Sequence, residues 1–181
     1  MPAAITNIIL FQIGWFACVL GAANGLAWQG TLLATAVVTW HVLRSGNLSL
    51  ELALVLIALL IGTVWDSLLV WSGIIQYQAG MLHAYIAPYW IIALWGLFAT
   101  TLNVSLRWMR DRWLMATLAG AISGPLAYYA GYRLQAVYFE DMSLAMIVLA
   151  VGWAIFVPAL LYLSSRLDGY QHLSNRAMAS S

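Results

Sequence analysis

The sequence predicts an all-α integral membrane protein, six transmembrane helices in one bundle with both termini cytoplasmic. Three observations predict it. The chain of 181 residues is 64% hydrophobic and 7% charged, whereas soluble domains carry about 25% charged residues. Its apolar residues fall into six stretches near the ~20 residues that a helix needs to cross a bilayer core. Its arginines gather on alternate connections between those stretches, as loops on the cytoplasmic side do.

The spans run over residues 5–23, 26–43, 50–73, 87–106, 113–137 and 143–165. A tight turn at Asn24-Gly25 separates the first two. The longest connection, residues 74–86, is mildly apolar and is placed at the membrane interface. Residues 167–181 form a polar, frayed cytoplasmic tail. With six spans, Arg44, Arg107, Arg110, Arg112, Arg166 and Arg176 share one side, and Arg133 alone lies near the other. Trp28, Trp71 and Trp90 fall near outer span ends and Trp40, Trp108 and Trp113 near inner ends, where rings with a polar edge sit at headgroup level. Trp15, Trp65, Trp95 and Trp153 lie deeper, as packing or lipid-facing rings. No basic residue precedes Arg44, so the N-terminus lacks the basic region of a secretory signal, and Cys18 is no lipidation site.

What the chain lacks excludes much chemistry. It has no lysine, so neither a Schiff base nor a P-loop lysine is available. One cysteine cannot form an internal disulfide or a thiolate metal pair. His41, His83 and His172 are too far apart in sequence for a two-histidine helix-face site. No metal and no cofactor is expected, and the near-neutral charge argues against nucleic acid. The segment Ala121-Ile122-Ser123-Gly124 has a faint likeness to a membrane serine protease, but the last span offers no histidine base.

Small residues mark helix contacts, because helices in lipid associate through close packing. Span one carries Gly14, Cys18, Gly21 and Gly25, and span five carries Ala116, Gly120, Gly124, Ala127 and Gly131, each on one face. These faces serve packing within the subunit, or else docking of a partner. Pro125 and Pro158 remove backbone donors in mid-span and allow a kink or a break. Asn103 lines up with Gly96 and Ala99 as interhelical glue, and His41 lies at the inner boundary. The basic loop from Arg107 to Trp113 suits anionic headgroups.

Asp66 is an acid about 10 Å inside span three, on a face shared with Gly62 and Gly73. An ionisable group at that depth is either functional or hydrogen-bonded between helices. The candidate polar site groups Asp66 with Arg133, Tyr129, Asn24, Gln29 and His83 toward the outer side. An Asp66–Arg133 pair is one arrangement. The other is an Arg133 that snorkels to the headgroups on the Tyr129 side of span five.

Three segments carry a family likeness: Gln12-Ile13-Gly14-Trp15-Phe16-Ala17-Cys18-Val19-Leu20-Gly21-Ala22; Ala87-Pro88-Tyr89-Trp90 with the run from Ala93 to Trp108; and Gly124-Pro125-Leu126-Ala127-Tyr128-Tyr129-Ala130-Gly131. Across all six spans the chain resembles the bacterial inner-membrane family known as domain of unknown function 2878. Gln135 departs from the small residue expected there. The resemblance implies a bacterial inner-membrane location and a setting linked to membrane-lipid modification. It implies no catalytic residue.

The expected function is therefore a lipid-associated accessory or scaffold protein rather than an enzyme. Membrane lipids, a partner membrane protein or self-association are its expected contacts. The alternatives are a small transport component capturing a solute from the periplasmic side, and an intramembrane lipid enzyme using Asp66.

Overall fold

In the computed structural model, which describes residues 3–171, six long α-helices carry the chain. They are α1 (Ala3–Ala23), α2 (Ala27–Leu43), α3 (Leu48–Trp71), α4 (Tyr89–Leu102), α5 (Trp113–Arg133) and α6 (Met142–Arg166). Two short strands, β1 (Ile75–Tyr77) and β2 (Val137–Phe139), and a single 3-10 turn at Arg107–Met109 complete the described elements. By length and composition α1, α3 and α6 can each cross a membrane. At 17 and 14 residues, α2 and α4 are shorter than the ~20 a bilayer core requires. α5 is long enough but less apolar, because glycine, serine and tyrosine break up its leucines. The outward faces are nonetheless apolar: Leu60 is 66% exposed and Ile147 63%. Contiguous exposure of this kind suits lipid and is rare on soluble monomers.

The shortest helix is the central one. α4 packs against α1, α2 and α3 and touches α6, and Trp90, Ile91, Trp95, Leu97, Ala99 and Leu102 on it are all buried. A helix apolar on every side belongs in the middle of a bundle. Its shortness follows from that position, since irregular backbone is tolerated at membrane depth where protein covers it. After Leu102 the chain turns with Leu106 N–H donating to the Thr101 carbonyl at 2.8 Å.

Two hairpins flank this centre. α1 and α2 close on each other where a Cβ at Gly30 would strike the Ala17 carbonyl and one at Gly21 would lie 2.9 Å from the Leu26 carbonyl. α5 and α6 close where a Cβ at Gly120 would strike the Trp153 carbonyl and one at Gly124 its ring. Gly14 faces Leu97 on α4, and a Cβ at Gly131 would lie 3.0 Å from a Val137 methyl. Within the described residues these glycines serve contacts between helices of one chain. α5 and α6 remain helical through Pro125 and Pro158, so neither proline breaks its helix.

The structure corrects two span boundaries. Span four, placed at 87–106, is helical over Tyr89–Leu102. Span five, placed at 113–137, ends at Arg133. The second ending has a clear cause. Gln135 adopts a left-handed φ of 66°, its N–H donates to the Tyr132 carbonyl at 2.9 Å, and Ala136 N–H donates to the Gly131 carbonyl at 2.9 Å. These paired bonds are the Schellman helix ending. The reversed chain then forms β2, antiparallel to β1 with Tyr77 opposite Val137. The sequence pattern gave no sign of this ribbon, because three residues per strand are too few to show alternation.

The same ending at α1 uses Gly25, with φ of 73°. A side chain in the left-handed region costs about 1–2 kcal/mol. Gln135→Gly is therefore expected to raise stability by about 1 kcal/mol, read as a higher unfolding temperature in detergent. An unchanged or lower value would contradict this account of the helix ending.

Candidate functional site

Asp66 points into the bundle from the C-terminal half of α3 and is fully buried. Four residues earlier on the same face, Gly62 leaves room for the Trp95 ring, which any Cβ there would hit. Trp95 Nε1–H then donates to Asp66 Oδ2 at 2.7 Å. The hydroxyls of Tyr77 and Tyr128 donate to Oδ1 at 2.6 and 2.7 Å. Three donors thus reach one carboxylate from β1, α4 and α5. Burial, followed by the Asp66 carboxylate, pushes the Tyr77 hydroxyl well above its ordinary range. Tyr77 is therefore a donor at every physiological pH.

A second buried carboxylate, Glu51, lies in the first turn of α3 at the opposite end. His41 Nε2 lies 2.7 Å from its Oε1, and Asn103 Nδ2 donates to Oε2 at 2.6 Å. Gly169 N–H donates to the same oxygen at 3.2 Å. Asn103 extends the network, since its Oδ1 accepts from Arg110. Arg107 and Arg110 grip the two oxygens of Asp168 at 2.6 and 2.8 Å. Burial lowers the Arg107 pKa from its ordinary value, and Asp168 opposes that shift. The Tyr170 hydroxyl donates to the His41 carbonyl, and burial raises its pKa.

Between α1 and α5 a cleft crosses the molecule. The two helices are not among the extensively packed pairs. A cavity of about 450 Å³ lies between them, with Phe11, Trp15, Phe98 and Trp153 among its walls. It adjoins a smaller one of about 90 Å³ that reaches Trp95 and Tyr128, both donors to Asp66.

The residues grouped by sequence reasoning do not converge. Arg133 is exposed, its nearest described partner is the Tyr129 hydroxyl at 3.4 Å, and no ion pair joins it to Asp66 among the described residues. Arg133 lies off the glycine face that α5 turns to α6, on the Tyr129 side. Asn24 is exposed and bonds the Leu20 carbonyl at 2.8 Å. Gln29 and His83 are exposed as well. Trp90, placed at the interface, is buried, with its N–H on the Ala79 carbonyl at 2.9 Å. The basic loop turns Arg107 and Arg110 inward onto Asp168, leaving Arg112 outside over Trp108. The tail expected to fray after Arg166 is instead docked through Asp168 and Tyr170, both buried. The remainder of it, residues 172–181 with His172 and Arg176, lies outside the described residues.

Sequence reasoning missed Glu51, Asp168 and Tyr77 as hydrogen-bonding groups. Glu51 stands in the first turn of α3, four residues after the Asn47 cap, where acids are common. The available signal was its place within a long apolar run, shared with Asp66. Asp168 gave none, because its partners are about 60 residues away.

The fold and these centres define a helical membrane protein whose buried carboxylates are closed by internal partners. The chain belongs to the DUF2878 family, described as a protein of unknown function, whose model matches residues 4–159. Neither the curated proteins nor the solved structures give a match.

Two predictions follow from the paired carboxylates. Asp66→Leu strands three buried donors, at about 1–3 kcal/mol each, so its unfolding temperature in detergent should fall well below that of Asp66→Asn, which keeps an acceptor. Equal values would contradict the bonding described. Asp168→Ala leaves Arg107 and Arg110 facing inward without their carboxylate, a loss of about 3 kcal/mol. Trypsin should then cleave after the exposed Arg166 faster than in the wild type; an unchanged rate would show that Asp168 does not hold the segment.

Proposed function

We propose that all six helices cross the inner membrane of a bacterium with both termini in the cytoplasm, and that the protein is a lipid-associated accessory or scaffold protein. The arginine distribution supports the orientation. Arg44, Arg112 and Arg166 stack on Trp40, Trp108 and Tyr162 at 5.2, 5.4 and 5.5 Å, and all three fall on the proposed cytoplasmic side. Exposed Trp28 and Trp71 fall on the other.

The observation that carries the functional reading is the division between polar and accessible groups. The buried carboxylates are engaged by internal donors, while the large cavity between α1 and α5 is lined mainly by apolar and aromatic side chains. A catalytic acid must reach a substrate proton, and Asp66 has no exposed surface. Lipid, by contrast, meets an apolar cleft directly. A role linked to membrane-lipid modification also accords with the family likeness of the chain.

Native mass spectrometry of the protein in mild detergent tests this reading. One or more retained lipids is the expected result. Membranes carrying Asp66→Asn protein at the normal level should keep their lipid composition. Loss of one lipid product in that strain would favour the enzyme reading, and a retained water-soluble metabolite would favour transport.

A further inference from the structure

Four polar side chains line the cleft, and two of them, Thr101 and Ser105, donate to the Phe98 carbonyl and to Asn7 Oδ1; the other two are unpaired. Gln12 is one position from the midpoint of α1 (Ala3–Ala23), and Ser123 is the midpoint of α5 (Trp113–Arg133). Both line the 450 Å³ cavity. Both are exposed, and neither side chain has a hydrogen-bond partner among the described residues. If α1 and α5 cross the membrane, each lies about 14–15 Å from its helix start at 1.5 Å per residue, half of a hydrocarbon core about 30 Å thick. An amide and a hydroxyl at that depth have no water to bond and are unfavourable without a partner. Several other polar side chains in the helices are satisfied, although the buried indole N–H groups of Trp65 and Trp153 also have no partner among the described residues. Asn7 on α1 bonds the Thr100 carbonyl at 3.1 Å and accepts from Ser105 at 2.7 Å, and Thr31 and Thr63 bond carbonyls of their own helices.

We infer that the cleft between α1 and α5 binds an isoprenoid quinone, with Gln12 Nε2–H and the Ser123 hydroxyl donating to its carbonyl oxygens. The inference rests on the membrane-crossing, lipid-associated reading above. Four features select the ligand. The donors are neutral, which suits an uncharged carbonyl rather than a phosphate or a carboxylate. They sit at mid-depth, whereas phospholipid ester carbonyls lie at the headgroup boundary, about 15 Å away. A plain acyl chain would leave both donors unpaired. The walls are aromatic: Trp153 stands edge-on to Phe98 at 5.3 Å, with Phe11 and Trp15 opposite on α1. Such faces accept a flat ring. The cavity falls in the ~300–1,000 Å³ range of small-molecule sites. Its lateral mouth, between two helices that are not extensively packed, leaves an exit for a tail into lipid.

The test is native mass spectrometry and tryptophan fluorescence of the full chain in detergent, titrated with decylubiquinone. A saturable one-to-one adduct is expected, with quenching in step. Gln12→Leu and Ser123→Ala should each weaken binding, and together by tenfold or more. Gln12→Leu should also raise the unfolding temperature of the ligand-free protein, because it removes an unpaired amide from the hydrocarbon region. A purely structural glutamine would give the opposite sign. Folded protein that retains phospholipid but forms no quinone adduct would overturn the quinone assignment and leave the lipid-associated reading standing. An adduct whose affinity is unchanged in the double variant would overturn the roles of Gln12 and Ser123. Protein that retains no lipid and no quinone would overturn both readings.

Discussion

The carboxylate of Asp66 is the constraint on which the arrangement of the helices depends. Its donors come from the α3–α4 connection, from α4 and from α5. α5 and α6 pack chiefly on each other and touch the remaining helices sparingly. What ties their hairpin to the rest is therefore specific rather than extensive. Asp66 does so at one end, stacked Trp95 and Trp153 with centroids 4.8 Å apart do so in the middle, and Asp168 with Arg107 and Arg110 does so at the other end. In lipid there is little hydrophobic drive to press helices together, so hydrogen bonds and ring contacts take on that work.

This division explains the cleft. α1 belongs to the body around α4, and α5 belongs to the hairpin. The two bodies are pinned at both ends through α3 and α4 and by ring contacts on one side. On the α1 side α5 presents Ser123, Ala127 and Ala130 to the cavity, and these short side chains do not fill the gap, while Gly120 and Gly124 admit Trp153. The glycines hold α5 tightly to α6, and the short side chains on the other face of α5 leave a space of about 450 Å³ toward α1.

Much of the fold was legible in the sequence, and the reasons are physical. Long apolar runs, tight turns and arginine placement are local signals, so six helices and most of their limits could be read directly. The helix endings that went astray depended on hydrogen bonds rather than hydropathy, as Gln135 illustrates. The candidate site was legible in part. Asp66 stood out because an acid in an apolar run is rare, and Gly62 correctly marked its inward face. Its partners did not, because tyrosine and tryptophan are common near membrane boundaries and carry no mark of the bond they make. Arg133 was the natural electrostatic guess, but helix geometry turns it away. Glu51 and Asp168 were hidden by their positions at a helix start and in a polar tail.

The central claim is that bonds to Asp66 couple the hairpin to the body. A double-mutant cycle of Asp66→Asn and Tyr128→Phe tests it most directly, with unfolding followed in detergent. Asp66 lies on α3 and Tyr128 on α5, so the pair spans the two bodies. The account predicts an interaction energy of about 1 kcal/mol or more between the two sites, within the ~0.5–3 kcal/mol range of residues in contact. Additive effects would contradict it, because they would mean that the two bodies are held together without this bond.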